Sequence, residues 1–368
     1  MKVQTDVALA EWCTLGIGGP ARWFQRATDE SALQEALAWA RDRNVRVHVL
    51  GGGSNVVFAD EGFDGLVLQV DVRGLEQQSI GHRRVWVVGA GEPWDEFVAM
   101  MVDEEAAGLE CLSGIPGLVG GTPVQNVGAY GQDVSGVITT VHAIDRSTNA
   151  IVALDTRSCA FGYRTSRFKR EGGFIVSRVE FALRHGDPPT ITYADVVSHV
   201  GRLGLAQPTL KDVREVVLAI RRRKGMVIEP SNAANRSVGS FFVNPVITRE
   251  HFARIEAGDA SIPHYPMGAG EVKVPAAWLI ERAGFPKGFS RGVIGVSPFQ
   301  AQAIINQGGA SAADVIALAT DIKRAVWNTF SISLVPEPVF VGFPPSPELR
   351  WLIESPSQGG ESVRAIWG

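Results

Sequence analysis

Three glycine-rich loops within the first 131 residues constrain this chain more than any other feature, because each lies near the end of a strand-like run. Val45, Val47 and Val49 alternate with polar residues, the period-2 signature of a strand, and lead into Gly51-Gly52-Gly53-Ser54-Asn55. The run Val85 to Val88 enters Gly89-Ala90-Gly91, and a third, longer loop extends from Gly114 to Gly131. Glycine tolerates positive φ and lets backbone N–H groups converge closely on an anion. One such loop reads as a tight turn. Three point instead to a long ligand with several phosphates. None matches G-x-G-x-x-G or GxxxxGK[ST], so neither standard nucleotide pattern is present.

A length of 368 residues favours two or three domains. The net charge of −4 is too balanced to announce a nucleic-acid or membrane-surface partner. Cys13, Cys111 and Cys159 lie far apart with no metal-ligand spacing. The histidines show no HxxxH or HExxH pairing, so a metal site is not expected. No run reaches the roughly 18 apolar residues of a membrane span, and Asp6 and Glu11 interrupt any signal core, so a cytoplasmic protein is expected.

Helices and strands alternate in the first block: a helix from Thr28 with Leu33, Ala36, Leu37 and Ala40 on one face, then a strand from Leu66 to Val70. This reads as a βαβ-like start. Pro93 opens a second helix carrying Trp94, Phe97, Val98 and Met101. Strands are expected over 137–144, 151–154 and 174–183, and a helix over 212–223 that ends in Arg221-Arg222-Arg223-Lys224. A loop or hinge is expected over 229–238. Beyond it, a helix begins at Pro275, another follows the capping-box-like Ser311-x-x-Asp314, and strands are expected over 332–335 and 339–342. The last twenty or so residues read as a poorly determined tail.

Polar candidates are few. Arg164, between Gly162-Tyr163 and Thr165-Ser166, reads as a surface arginine or as a guanidinium facing a carboxylate or phosphate. Ser240 follows Gly239 without the Gly-x-Ser-x-Gly elbow of a hydrolase, so a turn serine is the plainer reading. Glu337 sits between Pro336 and Pro338, which hold its backbone extended. The basic run 221–224 is either a solvated helix end or a phosphate grip. Spacing alone stops at the binding of a phosphorylated ligand.

The motifs in order go further. Leu15-Gly-Ile-Gly-Gly19, Leu50-Gly-Gly-Gly-Ser-Asn-Val56, Ile115-Pro-Gly117 through Gln125-Asn-Val-Gly-Ala-Tyr-Gly131, Gly162-Tyr-Arg-Thr-Ser166, Gly239-Ser-Phe-Phe-x-Asn-Pro245 and Val335-Pro-Glu337 resemble the UDP-N-acetylenolpyruvoylglucosamine reductase family, over residues 10 to 343. The resemblance implies an α+β chain: a vanillyl-alcohol-oxidase/PCMH-like FAD-binding fold in two subdomains plus an α+β substrate-binding C-terminal domain. The expected divisions are 1–73 and 74–224 for FAD, 225–330 for substrate, 331–343 for return strands carrying Glu337, and 344–368 for the tail.

It further implies non-covalent FAD held by Gly51, Gly52, Gly53, Ser54, Asn55, Ile115, Pro116, Gly117, Gly121, Thr122, Gln125, Asn126, Gly128, Ala129, Tyr130 and Gly131. NADPH would be the hydride donor, and UDP-N-acetylglucosamine enolpyruvate the substrate in peptidoglycan synthesis. Arg164 and Glu337 would face the developing enolate, where fixed charge lowers a barrier most, and Ser240 would donate the proton as general acid. Tyr163, Tyr193, Lys224, Asn244, Tyr265, Lys273 and Gln300 would bind substrate, with Tyr193 marking a type I member. Val339 stands where type I members often carry a basic residue, and Arg222–Met226 departs from the Thr-Lys-Leu-Pro version of some relatives. A monomer acting on small molecules, without nucleic acid or membrane, is expected. Two other readings stay open: a flavin oxidase of the same superfamily, and a nucleotide-sugar-binding module without chemistry.

Overall fold

The computed structural model describes residues 2–80, 83–228 and 236–354. The expected hinge falls largely on 229–235, and the end of the expected tail on 355–368, both outside the described residues.

Pro20–Ala27 and Val47–Leu50 flank Phe63–Val70, and both run parallel to it, with Gln4–Ala8 added antiparallel at the edge. Helix Glu30–Asp42 makes the crossover, capped by the Asp29 side chain accepting from the Ala32 N–H. It buries Leu33, Ala36, Leu37 and Ala40, the face that the sequence indicates. The βαβ reading holds, with a third strand inserted between the pair.

The second sheet is antiparallel throughout, in the order Ile151–Asp155, Ile138–Asp145, Phe174–Ala182, Arg83–Gly89, Leu75–Ile80. One core joins both sheets, from Ala27 and Leu68 through Val88, Trp94 and Phe97 to Val141 and Phe181. A second core gathers Phe241, Phe242, Val272, Ile280, Ile304, Leu318 and Ile322 and also takes in Leu15, Ile17 and Val57 from the N-terminal segment. Its longest helix, Ala312–Phe330, starts on the full Ser311/Asp314 capping box. No helix among the described residues is long and apolar enough to cross a membrane.

The expected strand over 332–335 is not regular structure. Among the described residues its backbone pairing is the bond from the Val243 N–H to the Val335 carbonyl, followed by the isolated bridge Phe242–Pro336. Pro336 and Pro338 just beyond lack the N–H groups that would extend this contact into a ladder. The next strand, Val339–Val341, leaves the second core and pairs parallel with Val56–Phe58. Val339 is thus a strand residue opposite Val56. The tail also differs from expectation. Pro347–Ile353 is a helix with Leu349 and Leu352 buried, and the Lys323 ammonium donates to the carbonyls of Trp351, Leu352 and Glu354 at 2.6–2.8 Å.

His48, three residues before the first glycine loop, is boxed edge-on by Phe58 and Phe63. Burial, with the nearby Arg146 charge adding to it, pushes its imidazole down to about 4 from 6.5. The unfolded chain takes up a proton near pH 6.5 that the folded chain refuses until near pH 4. The neutral ring's contribution is complete above pH 6.5 and is lost as pH falls to 4, about 3 kcal/mol in all. His48→Leu is therefore expected to flatten the acid-side loss of stability in urea unfolding between about pH 7 and about pH 4. Equal slopes in the two proteins would rule this account out.

Candidate active site

The first and third glycine loops face one another. The Ser54 hydroxyl donates to the Pro116 carbonyl at 3.4 Å, and a Cβ on Gly52 would stand 2.9 Å from the Gly117 Cα. Gly53 is fixed by the protein itself: its φ is +64°, and a Cβ there would lie 1.9 Å from the Trp12 carbonyl oxygen. Gly51 and Gly121 differ, because a Cβ at either would meet nothing within 4 Å. Their bare backbone borders open space that internal packing does not explain, which is what a ligand-facing cradle requires.

The second loop does not join this cradle. Gly89, Ala90 and Gly91 are buried, and Cβ atoms on the two glycines would strike the backbone of Val72 and Asp71. Close packing accounts for that loop, and the count of three ligand loops falls to two.

The long third loop continues as scaffold. Thr122 spends its hydroxyl on the Val119 carbonyl, and Gln125 ends a single helical turn, Thr122–Gln125. Asn126, at φ 44°, donates to the Gly162 carbonyl at 3.1 Å, and Gly128–Ala129 forms a small ladder with Gln132–Asp133. Ile115 and Gly131 lie at its two ends, Ile115 half-buried and Gly131 exposed. Tyr130 turns its ring toward Tyr193, with centroids 5.4 Å apart.

Gly162 and Thr165 exchange backbone hydrogen bonds across a two-residue turn whose second central residue is Arg164. Its φ is +55°, a left-handed conformation that costs a non-glycine residue roughly 1–2 kcal/mol. The turn brings the Arg164 Nε to 3.8 Å from the Glu337 Oε1, with both side chains partly buried. The Glu337 carbonyl accepts from Asn55 Nδ2 at 3.3 Å, so the first glycine loop touches the same residue. The Glu337 N–H donates to the Phe241 carbonyl at 2.8 Å, which sets Glu337 against the segment bearing Ser240. Ser240 Oγ accepts from Gln300 Nε2 at 3.3 Å. Arg164 and Glu337, far apart in sequence, thus meet, and Ser240 lies one residue from the carbonyl that accepts from the Glu337 N–H.

The expected substrate residues form a line leading away from this point. Lys273 stands between Tyr163 and Tyr265, with its ammonium 5.2 and 5.5 Å from their ring centroids. Tyr163 is hydrogen-bonded to Asn244, whose Oδ1 also accepts from the Ala276 N–H. Tyr193 is hydrogen-bonded to Tyr265, and burial pushes the Tyr193 phenol well above its usual range. Lys224 lies 5.8 Å over Tyr130 and 3.3 Å from Asp195. All four tyrosines of the sequence lie on this line.

Two buried polar atoms beside these residues have no hydrogen-bond partner: Gln300 Oε1 and Arg221 Nε. The first sits on the amide that reaches Ser240. The second lies 3.3 Å from a Cβ position on Gly114, at the head of the third loop. An unpaired guanidinium N–H there suits a phosphate oxygen. Arg221 is not part of a solvated run: only 8 % exposed, it bonds Tyr130 and the Met226 carbonyl. Its place four residues after Val217 and eight after Val213, both buried, is the signal that spacing carried. Lys169 was not singled out in the sequence, yet its ammonium holds the Arg164 carbonyl at 3.1 Å.

An FAD binding domain model matches residues 22–150, the span that contains the cradle. With the two-sheet α+β architecture, it makes the chain an FAD-binding flavoprotein. A second model, UDP-N-acetylenolpyruvoylglucosamine reductase, C-terminal domain, matches residues 229–341. The UDP-N-acetylenolpyruvoylglucosamine reductase of Thermobifida fusca is 45% identical over 92% of this chain and 97% of its own length. That of Streptomyces coelicolor is 41% identical over 92% and 90%. A crystal structure of the Thermus caldophilus reductase superposes with a TM-score of 0.63 at 25% identity, covering 92% of this chain and 99% of that one. The chain belongs to the UDP-N-acetylenolpyruvoylglucosamine reductase family.

Proposed function

We propose that the line of tyrosines and lysines binds UDP-N-acetylglucosamine enolpyruvate, and that Arg164, Ser240 and Glu337 carry its reduction to UDP-N-acetylmuramate in peptidoglycan precursor synthesis. The observation that carries this reading is the 3.8 Å approach of Arg164 to Glu337 beside the segment bearing Ser240. FAD, when bound, takes hydride from NADPH and supplies it to C3 of the enol ether.

The residues of the chain do the rest. Gly51 to Asn55 and Ile115 to Gly131 hold the cofactor non-covalently, and Arg221 offers its unpaired N–H to the phosphates. Charge develops at C2 and spreads into the substrate carboxylate. Arg164 and Glu337 meet it in a preorganised site, where fixed groups need no reorganisation. Ser240 Oγ then gives its proton to C2. Ser240 Oγ accepts from Gln300, and its hydroxyl hydrogen is left to be donated elsewhere. Tyr163, Asn244, Tyr265, Lys273 and Gln300 orient the sugar and diphosphate, while Tyr193 and Lys224 close over the nucleotide. On this reading the enzyme works as a cytoplasmic monomer on small molecules alone.

The test is anaerobic. The bound flavin is bleached with NADPH, the enolpyruvyl substrate is added, and return of the oxidised spectrum is expected. A flavin reoxidised by oxygen and not by substrate would replace this reading with that of an oxidase.

A further inference from the structure

We propose that Lys169 is a positioning residue for the reduction: its ammonium holds the Arg164 carbonyl, and with it the turn that aims the guanidinium at Glu337. The inference rests on the mechanistic reading above and deepens it.

Lys169 lies on the short helix Arg167–Glu171, and its basic neighbours on that helix bond residues other than Arg164. Arg167 reaches Glu171 at 2.8 Å, and Arg170 reaches the Ala160 carbonyl at 3.2 Å and the Thr165 hydroxyl at 3.4 Å. Lys169 turns back and donates to the Arg164 carbonyl itself at 3.1 Å. That carbonyl belongs to the residue held at φ +55°, a conformation that persists only where its surroundings over-determine it.

The anchor is itself rigid. Ser166 accepts from the Lys169 N–H, its hydroxyl donates to the Val124 carbonyl at 2.6 Å, and Phe168 is buried. The helix is thereby fastened to the Thr122–Gln125 turn beside the cradle. The Lys169 ammonium is partly desolvated, lies within electrostatic reach of the Glu337 carboxylate, which favours its charge, and is opposed by Arg164. A lysine kept in such surroundings at a desolvation cost is accounted for by what it holds.

The experiment uses the flavin-loaded enzyme carrying Lys169→Met, with both half-reactions followed anaerobically. Reoxidation by the enolpyruvyl substrate at saturation is expected to slow roughly 30- to 100-fold, the effect of misplacing a reacting group by about an ångström. Reduction by NADPH is expected to stay within about twofold of the parent. Lys169→Arg, which restores a cationic donor, should recover most of the rate. A crystal structure of Lys169→Met should show the Arg164 to Glu337 separation widened beyond 3.8 Å. If the methionine variant does not fold, Lys169→Gln, a neutral donor of shorter reach, is read in its place.

Parent-like reoxidation by the variant would overturn the proposal. So would equal slowing of both half-reactions with Arg164 unmoved. Arg164→Met run in parallel separates the two levels: parent-like reoxidation there would remove the mechanistic reading itself, whereas a defect there without one at Lys169 removes only this inference.

Discussion

Ser240→Ala is expected to leave flavin reduction by NADPH intact and to slow substrate-driven reoxidation by roughly 10²- to 10⁴-fold, the range of a lost general acid. The reason lies in what surrounds the hydroxyl. Gln300 donates to Ser240 Oγ, and Ser240 immediately precedes the residue whose carbonyl accepts from the Glu337 N–H. Alanine deletes the proposed proton donor without disturbing that backbone bond. The protein should keep its fold and its yellow colour while the second half-reaction fails. Single-turnover stopped-flow absorbance reads the result directly. Reoxidation of the alanine variant at the parent rate would remove Ser240 from the reaction and hand proton delivery to water.

Arg164→Met carries the second large effect, a loss of roughly 10²- to 10³-fold in the same step, as expected when a preorganised group facing developing charge is deleted. Methionine is chosen because it meets the same left-handed cost at φ +55° that arginine meets. Backbone strain then cancels from the comparison, and thermal unfolding should change little. Arg164→Lys restores charge without the planar fork and should recover only part of the rate. A variant that raises KM while sparing the rate constant at saturation would mean that Arg164 binds substrate and transition state equally.

Much of this was legible before any coordinates. Apolar spacing placed the Glu30–Asp42 face, and a capping box placed the start of Ala312–Phe330. The motifs, taken in order, pointed to Arg164 and Glu337, which the fold brings within 3.8 Å of each other. What resisted reading were features decided by distant partners. Gly89 and Gly91 look like ligand glycines in sequence, but Val72 and Asp71 occupy the space beside them. The run at 332–335 has strand-like residues, yet Pro336 and Pro338 just beyond it lack the N–H groups that would extend the Phe242–Pro336 bridge into a ladder. The Pro347–Ile353 helix is held by Lys323, a residue buried on another helix that composition gives no cause to connect with it. Lys169 escaped notice because its importance is a matter of direction, and direction is not written in residue type.

The parallel pairing of Val339–Val341 with Val56–Phe58 has a consequence for how the enzyme comes into being. Asn55 and Glu337, joined at one carbonyl, are 282 positions apart. During translation the amino-terminal layers can condense early, but their carboxylate partner is still untranslated. A nascent chain that has not yet reached Glu337 can own a folded amino-terminal interior and still lack the carboxylate that faces Arg164, so on the proposed reading the fold precedes the chemistry.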